Sequence, residues 1–352
     1  MTPCPSSGLV SSPACVAGYS CWENCDYGAE DVTKYNIDIL LEVVNPLHAK
    51  AFVDAKDRWM EVITGDLSSV QSQPFRDPEY NCANALPTLI DDLIICGRDE
   101  YIDGPGTNKG NILGAAGPLW LRKAYATGLW TTIVGRMKFD IVDIDRMIAD
   151  GSWDKVILHE MGHVLGIGSL WSKNNLIGTN LIYQGVNAIN VWKNDWNCVT
   201  DTPPVETDGG IGTAGGHWDE DCFDSELMTG FRDPDTPMPL SRLTVASLKD
   251  SGYTVDYSVA DTYDGSNIAP GCCLSTVSQV EGGPTQKPKP PLSPNGRANA
   301  IAYGLNILKA SELPPSFIAA MEQDGLTYVG DRLIFVLYEE NGYTYEVYVT
   351  NE

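Results

Sequence analysis

Apolar and β-branched residues are grouped in short runs that have the pattern of buried strands. The runs are bounded by polar residues, prolines and glycines, as strands usually are. They are YNIDILLEVV (residues 35–44), IDDLIIC (90–96) and TTIVGRMKFDI (131–141). The glycine-rich stretch GPGTNKGNILGAAGP (104–118) is expected to be a loop.

Three other segments have apolar residues at helical spacing, namely 48–63, 150–165 and 242–250. We expect Ser152 to cap the second of these helices and Gly166 to end it. The mixture of strands and helices predicts an α+β fold.

The two ends of the chain differ in composition from the middle. Residues 1–30 form a Cys-rich arm, and residues 274–297, with the run KPKPPLSP, form a Pro-rich linker. After the linker, residues 298–352 are expected to be a small C-terminal α+β domain of unknown role, with a hairpin turn at Asn341-Gly342. Residues 31–273 are then the main domain.

The chain has ten cysteines, an even number, and no Cys-x-x-Cys pair. This usage predicts a disulfide framework and a secreted or cell-surface protein, although no signal peptide is visible in MTPCPSSGLV. Proximity suggests Cys82–Cys96 and Cys198–Cys222 as pairs. We expect Cys272 and Cys273 to pair separately with the N-terminal cluster.

Charge and composition exclude several classes of partner. Of the 352 residues, 43% are hydrophobic, and 47 acidic residues face 23 basic ones, so the net charge is -24. Such a charge repels nucleic acid and anionic lipid. No transmembrane segment is expected, because no apolar run approaches about 18 residues. The oligomeric state is left open.

The segment His159-Glu160-Met161-Gly162-His163 carries the chemistry. Residues four apart lie on one helix face, so both imidazoles reach one metal ion. Glu160 lies beside the open coordination position, where it takes a proton from metal-bound water. Two of the four histidines in the chain belong to this motif, which makes chance a weak explanation.

A third ligand has to come from elsewhere in the chain. Ser169 stands where the most compact version of the motif has its next ligand. His48 is expected to be a surface residue or a helix cap, which leaves His217 as the candidate. Three imidazoles and a water molecule match a catalytic zinc site. Met228, eleven residues after His217, suggests the methionine turn that lies under the metal in metzincin proteases.

HEMGHVLGIGSLW, a long insertion, GGHWDEDCFDSELMTGF and LSRLTVASLKDSGYTVD together resemble the leishmanolysin family of zinc metalloproteases. The resemblance covers roughly residues 35–257, and the distant third histidine makes it specific. It implies a metzincin-like domain over residues 31–273. A twisted mixed sheet and the active-site helix would form the upper part, and a subdomain with the Met-turn would form the lower part.

The resemblance also implies roles for particular residues. His159, His163 and His217 would bind one catalytic Zn²⁺, and Glu160 would be the general base. Gly166 would make the turn after the helix and Met228 would lie under the metal. Gly230 stands where some metzincins have a tyrosine.

The implied reaction is hydrolysis of peptide bonds in a protein or peptide substrate by a zinc-bound water that Glu160 activates. An edge strand at residues 134–139 would pair with the substrate backbone. Its candidate substrate-binding residues are Val134, Gly135, Arg136 and Met137. Residues 237–240 would form part of a pocket wall that suits hydrophobic side chains.

Two further interpretations remain open. Asp143, Asp145, Asp219 and Glu220 invite a calcium site, although their spacing matches no EF-hand loop. As an alternative function, the chain is a non-catalytic or latent zinc-binding adhesion or interaction protein on a protease scaffold. Trp171, Trp192, Trp196 and Trp218 are expected to pack in the core.

Overall fold

The structure is a computed structural model, and it describes most of the chain. The described residues are 5, 7–12, 20–43, 45–71, 86–104, 112–207, 213–231, 236–269, 271–273, 292–307, 326–328, 334–340 and 343–349.

A mixed sheet forms the centre of the fold. Its strand order is β1-β2-β3-β6-β8-β7-β10-β11, with β9 also paired to β7, while β4 and β5 pair separately. The strands β3, β6 and β8 are parallel, and the other pairs are antiparallel. The described strands are β1 Leu9–Ser11, β2 Ser20–Asn24, β3 Ile37–Val43, β4 Val70–Gln71, β5 Leu89–Ile90, β6 Leu93–Glu100, β7 Ile112–Lys123, β8 Trp130–Asp140, β9 Leu326–Tyr328, β10 Ile334–Glu340 and β11 Tyr343–Val349.

The described helices are α1 Pro46–Val62, α2 Ile141–Ala149, α3 Trp153–Leu165, α4 Val186–Asn190, α5 Glu220–Phe223, α6 Arg242–Asp250 and α7 Pro294–Ile307. A π-helical turn, Val191–Asp195, continues α4, and a 3₁₀ turn is formed by Tyr257–Val259. α1 and α3 pack against each other and against the sheet. Trp59 of α1 donates its indole N–H to the carbonyl of Leu158 in α3, at 3.0 Å.

The two faces of the sheet belong to two apolar clusters, which explains why the strand segments are apolar at almost every position. On the helix side, Phe52, Phe139 and Trp153 pack edge to face, with Phe139 and Trp153 centroids 4.9 Å apart. On the other side, Ile94 and Val336 belong to a cluster that includes Ala300 of α7 and partly buried side chains from the same helix.

The predicted strands at 35–44, 90–96 and 131–141 are confirmed as β3, β6 and β8, and the predicted helices as α1, α3 and α6. The C-terminal hairpin is confirmed as β10 and β11. The turn dipeptide Asn341-Gly342 lies outside the described residues.

The expectation of a loop through residue 118 is wrong, because residues 112–118 belong to β7. The glycines there serve packing rather than turning. A Cβ on Gly114 would lie 2.5 Å from Cδ1 of Phe139 and 2.6 Å from the carbonyl of Lys138 in the neighbouring strand β8. Such contacts leave no room for a side chain.

The predicted edge strand is also wrong. β8 is paired along both sides, to β6 and to β7, so residues 134–139 have no free backbone edge. Gly135 instead allows close packing of the helix, since a Cβ there would lie 2.1 Å from Cγ1 of Val164 in α3. On the other side of β8 lies β7, and both β9 and β10 pair with it.

The disulfide predictions need correction. Cys198 pairs with Cys273, and Cys222 pairs with Cys272. The predicted Cys198–Cys222 pair and the pairing of Cys272 and Cys273 with the N-terminal cluster are therefore wrong. The bonds join Cys198 of the long insertion and Cys222 of α5 to the segment after α6, which chain proximity does not indicate. The proposed Cys82 partner of Cys96 lies outside the described residues.

No helix in the described parts of the chain is both long and apolar enough to cross a bilayer.

Candidate active site

The helix α3 carries the motif and ends in a sharp turn directly after it. Gly166 has φ of 113°, a left-handed conformation that favours glycine, and the N–H of Ile167 donates to the carbonyl of Gly162 at 3.1 Å. The expectation that Gly166 ends the helix is confirmed. Ser152 does precede the first turn, but its side chain makes no capping hydrogen bond to it.

Three histidine rings meet at one point in the interior. The Nε2 atoms of His159 and His163 are 2.9 Å apart, as expected for residues one turn apart on a helix. His217, from the loop before α5, stacks against His159 with ring centroids 5.8 Å apart. All three side chains are at most 5% exposed.

The far nitrogen of each ring is held by a backbone carbonyl. His159 Nδ1 donates to the carbonyl of Leu227, His163 Nδ1 to Ile167 at 2.9 Å and His217 Nδ1 to Thr213 at 3.1 Å. A carbonyl can only accept, so each Nδ1 carries a proton, and Nε2 is the ring atom left to bind a metal. Such carbonyl partners are typical of metal-binding histidines. Burial also lowers the pKa of His163 to about 4, so this ring is neutral at pH 7.

A turn at residues 226–230 lies under this cluster. The carbonyl of Met228 accepts from the N–H of Trp218 at 3.0 Å, which ties the turn to the residue after His217. Met228 is fully buried, and a Cβ on Gly162 would lie 2.8 Å from its sulfur. The turn therefore contacts α3 at the one motif position that has no side chain.

Glu226, which the sequence analysis did not single out, holds this turn in place. Its fully buried carboxylate accepts from the N–H of Met228 at 2.6 Å and from the Ser241 N–H at 3.1 Å. It also accepts from the hydroxyls of Ser241 and Thr244, both at 2.5 Å. Burial raises the pKa of Glu226, and these four donors offset the cost of burying its carboxylate.

Glu160 has a different environment. Its side chain is fully buried, and among the described residues neither carboxylate oxygen has a hydrogen-bond partner. Burial and the nearby charge of Glu346 raise the pKa of Glu160 well above its ordinary value. A buried acid with unsatisfied oxygens beside a histidine cluster is typical of a functional site rather than a structural one.

Glu346, in β11, is the second residue that the sequence analysis missed. Its Oε1 is 2.7 Å from Nε2 of His159, and its Oε2 is 3.0 Å from Nε2 of His163 and also contacts Nε2 of His217. Burial alone would raise the pKa of Glu346, but the three histidines hold it well below its ordinary value. The residue is thus a carboxylate that lies against all three rings.

Residues 126–293 match the family model for leishmanolysin. This segment belongs to the leishmanolysin family. The predicted resemblance is therefore confirmed over the part of the chain that carries all three histidines. A search of curated proteins finds no match to the chain.

The leishmanolysin segment and the donor set together fit zinc. One nitrogen or oxygen of each of His159, His163, His217 and Glu346 lies within 4.8 Å of all the others. Three Nε2 atoms and a carboxylate that converge in this way form a donor set that one cation could join. Imidazole and carboxylate are ordinary ligands of Zn²⁺.

A small recess opens beside Glu160. Val156, Phe231 and Met238 give it apolar walls, in agreement with the predicted contribution of residues 237–240. Leu337 and Glu346 of the C-terminal hairpin also line it.

Calcium is not supported, because the four acids proposed for it have separate tasks. Asp143 pairs with Arg146 at 3.2 Å, and Asp145 lies 3.4 Å from Nε2 of His48. Asp219 caps α5 through the N–H of Cys222, and Glu220 lies within that helix.

His48 is not the predicted surface residue. It is 2% exposed and pairs through Nδ1 with Asp99 at 2.5 Å, away from the three-histidine cluster. The four tryptophans pack in the core, as predicted, with none more than 8% exposed.

Proposed function

We propose that the chain is a zinc-dependent endopeptidase. The observation that carries the proposal is the convergence of three carbonyl-oriented histidine rings beside the unpaired, fully buried carboxylate of Glu160. The family match over residues 126–293 supports the same conclusion.

In this proposal His159, His163 and His217 hold the metal through Nε2. Zinc bound there supplies a lowered pKa for a water molecule and polarisation of the scissile carbonyl. The carbonyls of Leu227, Ile167 and Thr213 keep each ring in the tautomer that binds metal. Met228 is then the methionine of a metzincin Met-turn, held under the site by Glu226.

Glu160 is the general base in this mechanism. It takes the proton of the attacking water and later delivers it to the departing amine. Its lack of hydrogen-bond partners favours the role, since no neighbouring donor competes for the oxygen that must accept the proton. Burial raises the pKa of Glu160, which makes it a stronger proton acceptor than an exposed carboxylate.

Substrate recognition has to differ from the sequence-based expectation. β8 has no free edge, so the backbone of Val134, Gly135, Arg136 and Met137 does not pair with a substrate strand. An extended peptide backbone would pair with β7 instead, in place of β9 or β10, which occupy that side of the strand in this structure. The recess beside Glu160 would take a hydrophobic side chain, because Val156, Phe231 and Met238 line it.

The domain limits and the location remain part of this proposal. We assign residues 31–273 to the catalytic domain, 1–30 to the arm and 274–297 to the linker. The two disulfides are compatible with an extracellular protein, and we propose that the enzyme is secreted or exposed at the cell surface.

The test compares the full chain with Glu160→Gln for hydrolysis of casein, with zinc content measured in both proteins. We expect one zinc ion per chain in each, chelator-sensitive cleavage by the unsubstituted chain, and a loss of about 100-fold or more in the variant. Glu61→Gln, at a side chain 62% exposed, is the matched control and should cleave normally. Equal cleavage by Glu160→Gln would contradict the proposed role of this residue.

A further inference from the structure

The C-terminal hairpin covers the side of β7 that faces away from β8. Phe335, Val336 and Leu337 of β10 pair with Ala116, Ala115 and Gly114 of β7 in antiparallel register. Further along β7, Trp120, Leu121 and Arg122 pair with β9. The backbone edge at which a substrate strand would add to the sheet is therefore occupied by the chain itself.

The other strand of the hairpin, β11, contacts the segments around His217 and Met228. Tyr345 of β11 forms an antiparallel bridge with Phe231, just after the Met228 turn, and the two rings are 5.7 Å apart. The hydroxyl of Thr213 donates to the backbone carbonyl of Glu346 at 2.5 Å. Since β10 pairs with β7 and β11 contacts Phe231 and Thr213, the hairpin connects the sheet to the segments on the other side of the histidine cluster.

Side chains of the hairpin also fill the space at the histidines. Phe335 stacks on the ring of His163, with centroids 3.6 Å apart and planes 11° from parallel. Glu346 contacts the Nε2 atoms of all three histidines and is 4% exposed. These Nε2 atoms are the ones that the carbonyl partners leave free to bind a metal.

We propose that Glu346 is a fourth protein ligand of the metal and that the β10–β11 hairpin keeps the peptidase in a closed, latent form. The inference rests on the proposed zinc site and deepens it. A catalytic zinc site keeps one position for water, whereas four protein ligands are typical of a closed, structural site. In the closed form, Glu346 takes the position on the metal that water would otherwise hold.

Only non-covalent contacts are described between the hairpin and the rest of the fold. The chain has no cysteine after Cys273, so no disulfide ties the hairpin to the catalytic part. Its described anchors are strand pairing, apolar contacts and polar pairs such as that of Glu339 with Arg146. A competing strand, or cleavage on either side of the hairpin, can therefore expose the site without breaking a covalent bond of the catalytic part.

The ligand assignment is tested on the metal itself, in the full chain. The chain, Glu346→Gln and Glu346→Ala are each loaded with Co²⁺ for visible spectra and with Zn²⁺ for release to a chelator. We expect both variants to change the cobalt spectrum. They should also release zinc about 10–100-fold faster. Loss of a residue that only hydrogen-bonds to a metal ligand already has an effect of this size, and loss of a ligand should have at least as large an effect. Glu61→Gln makes the same charge change at an exposed side chain outside the hairpin and should behave as the unsubstituted chain.

Closure is tested by casein cleavage with the same proteins. We expect both Glu346 variants to cleave at least tenfold faster than the unsubstituted chain and than Glu61→Gln. The two variants together separate loss of a ligand from a folding defect, since Gln keeps the volume of the side chain and a misfolded protein would not gain activity.

The outcomes distinguish this inference from the proposed function. If cobalt spectrum, zinc release and cleavage are all unchanged in a chain that binds zinc, Glu346 is not a ligand and the inference is overturned. If the metal readouts change but no variant cleaves casein, Glu346 is a ligand and the peptidase proposal fails instead. A chain that binds no metal at all would overturn both.

Discussion

Substitution of Glu226 by Gln should lower the stability of the chain and loosen its metal site together. The carboxylate accepts four hydrogen bonds in a fully buried position, one on Oε2 from the Met228 N–H and three on Oε1. A glutamine side chain has a single acceptor oxygen. Whichever way its amide lies, at least one buried donor loses its acceptor and faces another donor.

The smallest loss occurs when the amide nitrogen faces the Met228 N–H. That orientation forfeits one hydrogen bond to a charged group, worth about 1.5–3 kcal/mol, and makes the three others neutral. Relief from burying a charge offsets part of this cost. We therefore expect the free energy of unfolding to fall by about 2 kcal/mol, which lowers the melting temperature by about 4–8 °C.

The assay is thermal unfolding followed by zinc release to a chelator, with Glu61→Gln as the exposed control. Zinc should leave the Glu226 variant faster, because the carbonyl of Leu227 in the same turn orients His159. The reasoning is refuted if Glu226→Gln melts within about 1 °C of the control and releases zinc at the same rate.

Two further predictions concern parts of the fold away from the metal. Replacing Cys222 and Cys272 together by Ala removes a disulfide with a sequence separation of 50, which should lower the free energy of unfolding by about 4 kcal/mol. Denaturant titration measures this change, and a loss below about 1 kcal/mol would contradict the prediction. Burial lowers the pKa of His48, but the hydrogen bond and charge of Asp99 raise it overall above 6.5. The stability that His48 contributes is then complete below about pH 6.5 and is lost as the pH rises through the folded pKa. Unfolding of His48→Asn at several pH values should lack this loss, and an identical pH dependence in both proteins would exclude the pair as its source.

Local patterns were sufficient to predict the centre of the site. Spacing of four residues on an apolar helix places His159 and His163 on one face, and Gly166 marks its end. The sequence could also identify His217, because only four histidines exist. The position of His217 depends on a β-bridge between Trp218 and the Met228 turn, which no local pattern reveals.

What could not be predicted depends on long-range pairing. Glu346 is separated from His163 by 183 positions, and its place is set by the register of β10 on β7. Its own sequence, an acid in an alternating strand, is typical of a solvent-facing position. The small residues that make β7 a close partner for β8, such as Gly114, have the composition of a loop. Adjacent cysteines such as Cys272 and Cys273 likewise give no indication of their partners.

Cleavage of casein by two full-length variants, Glu346→Ala and Glu346→Ala combined with Glu160→Gln, tests the central claim most directly. Both should hold one zinc ion, so the metal site is constant and the hairpin ligand is absent from both. We expect clear hydrolysis by the first and a loss of about 100-fold or more in the second. Equal cleavage by both proteins, or none by the zinc-loaded single variant, would contradict a zinc endopeptidase with Glu160 as its base.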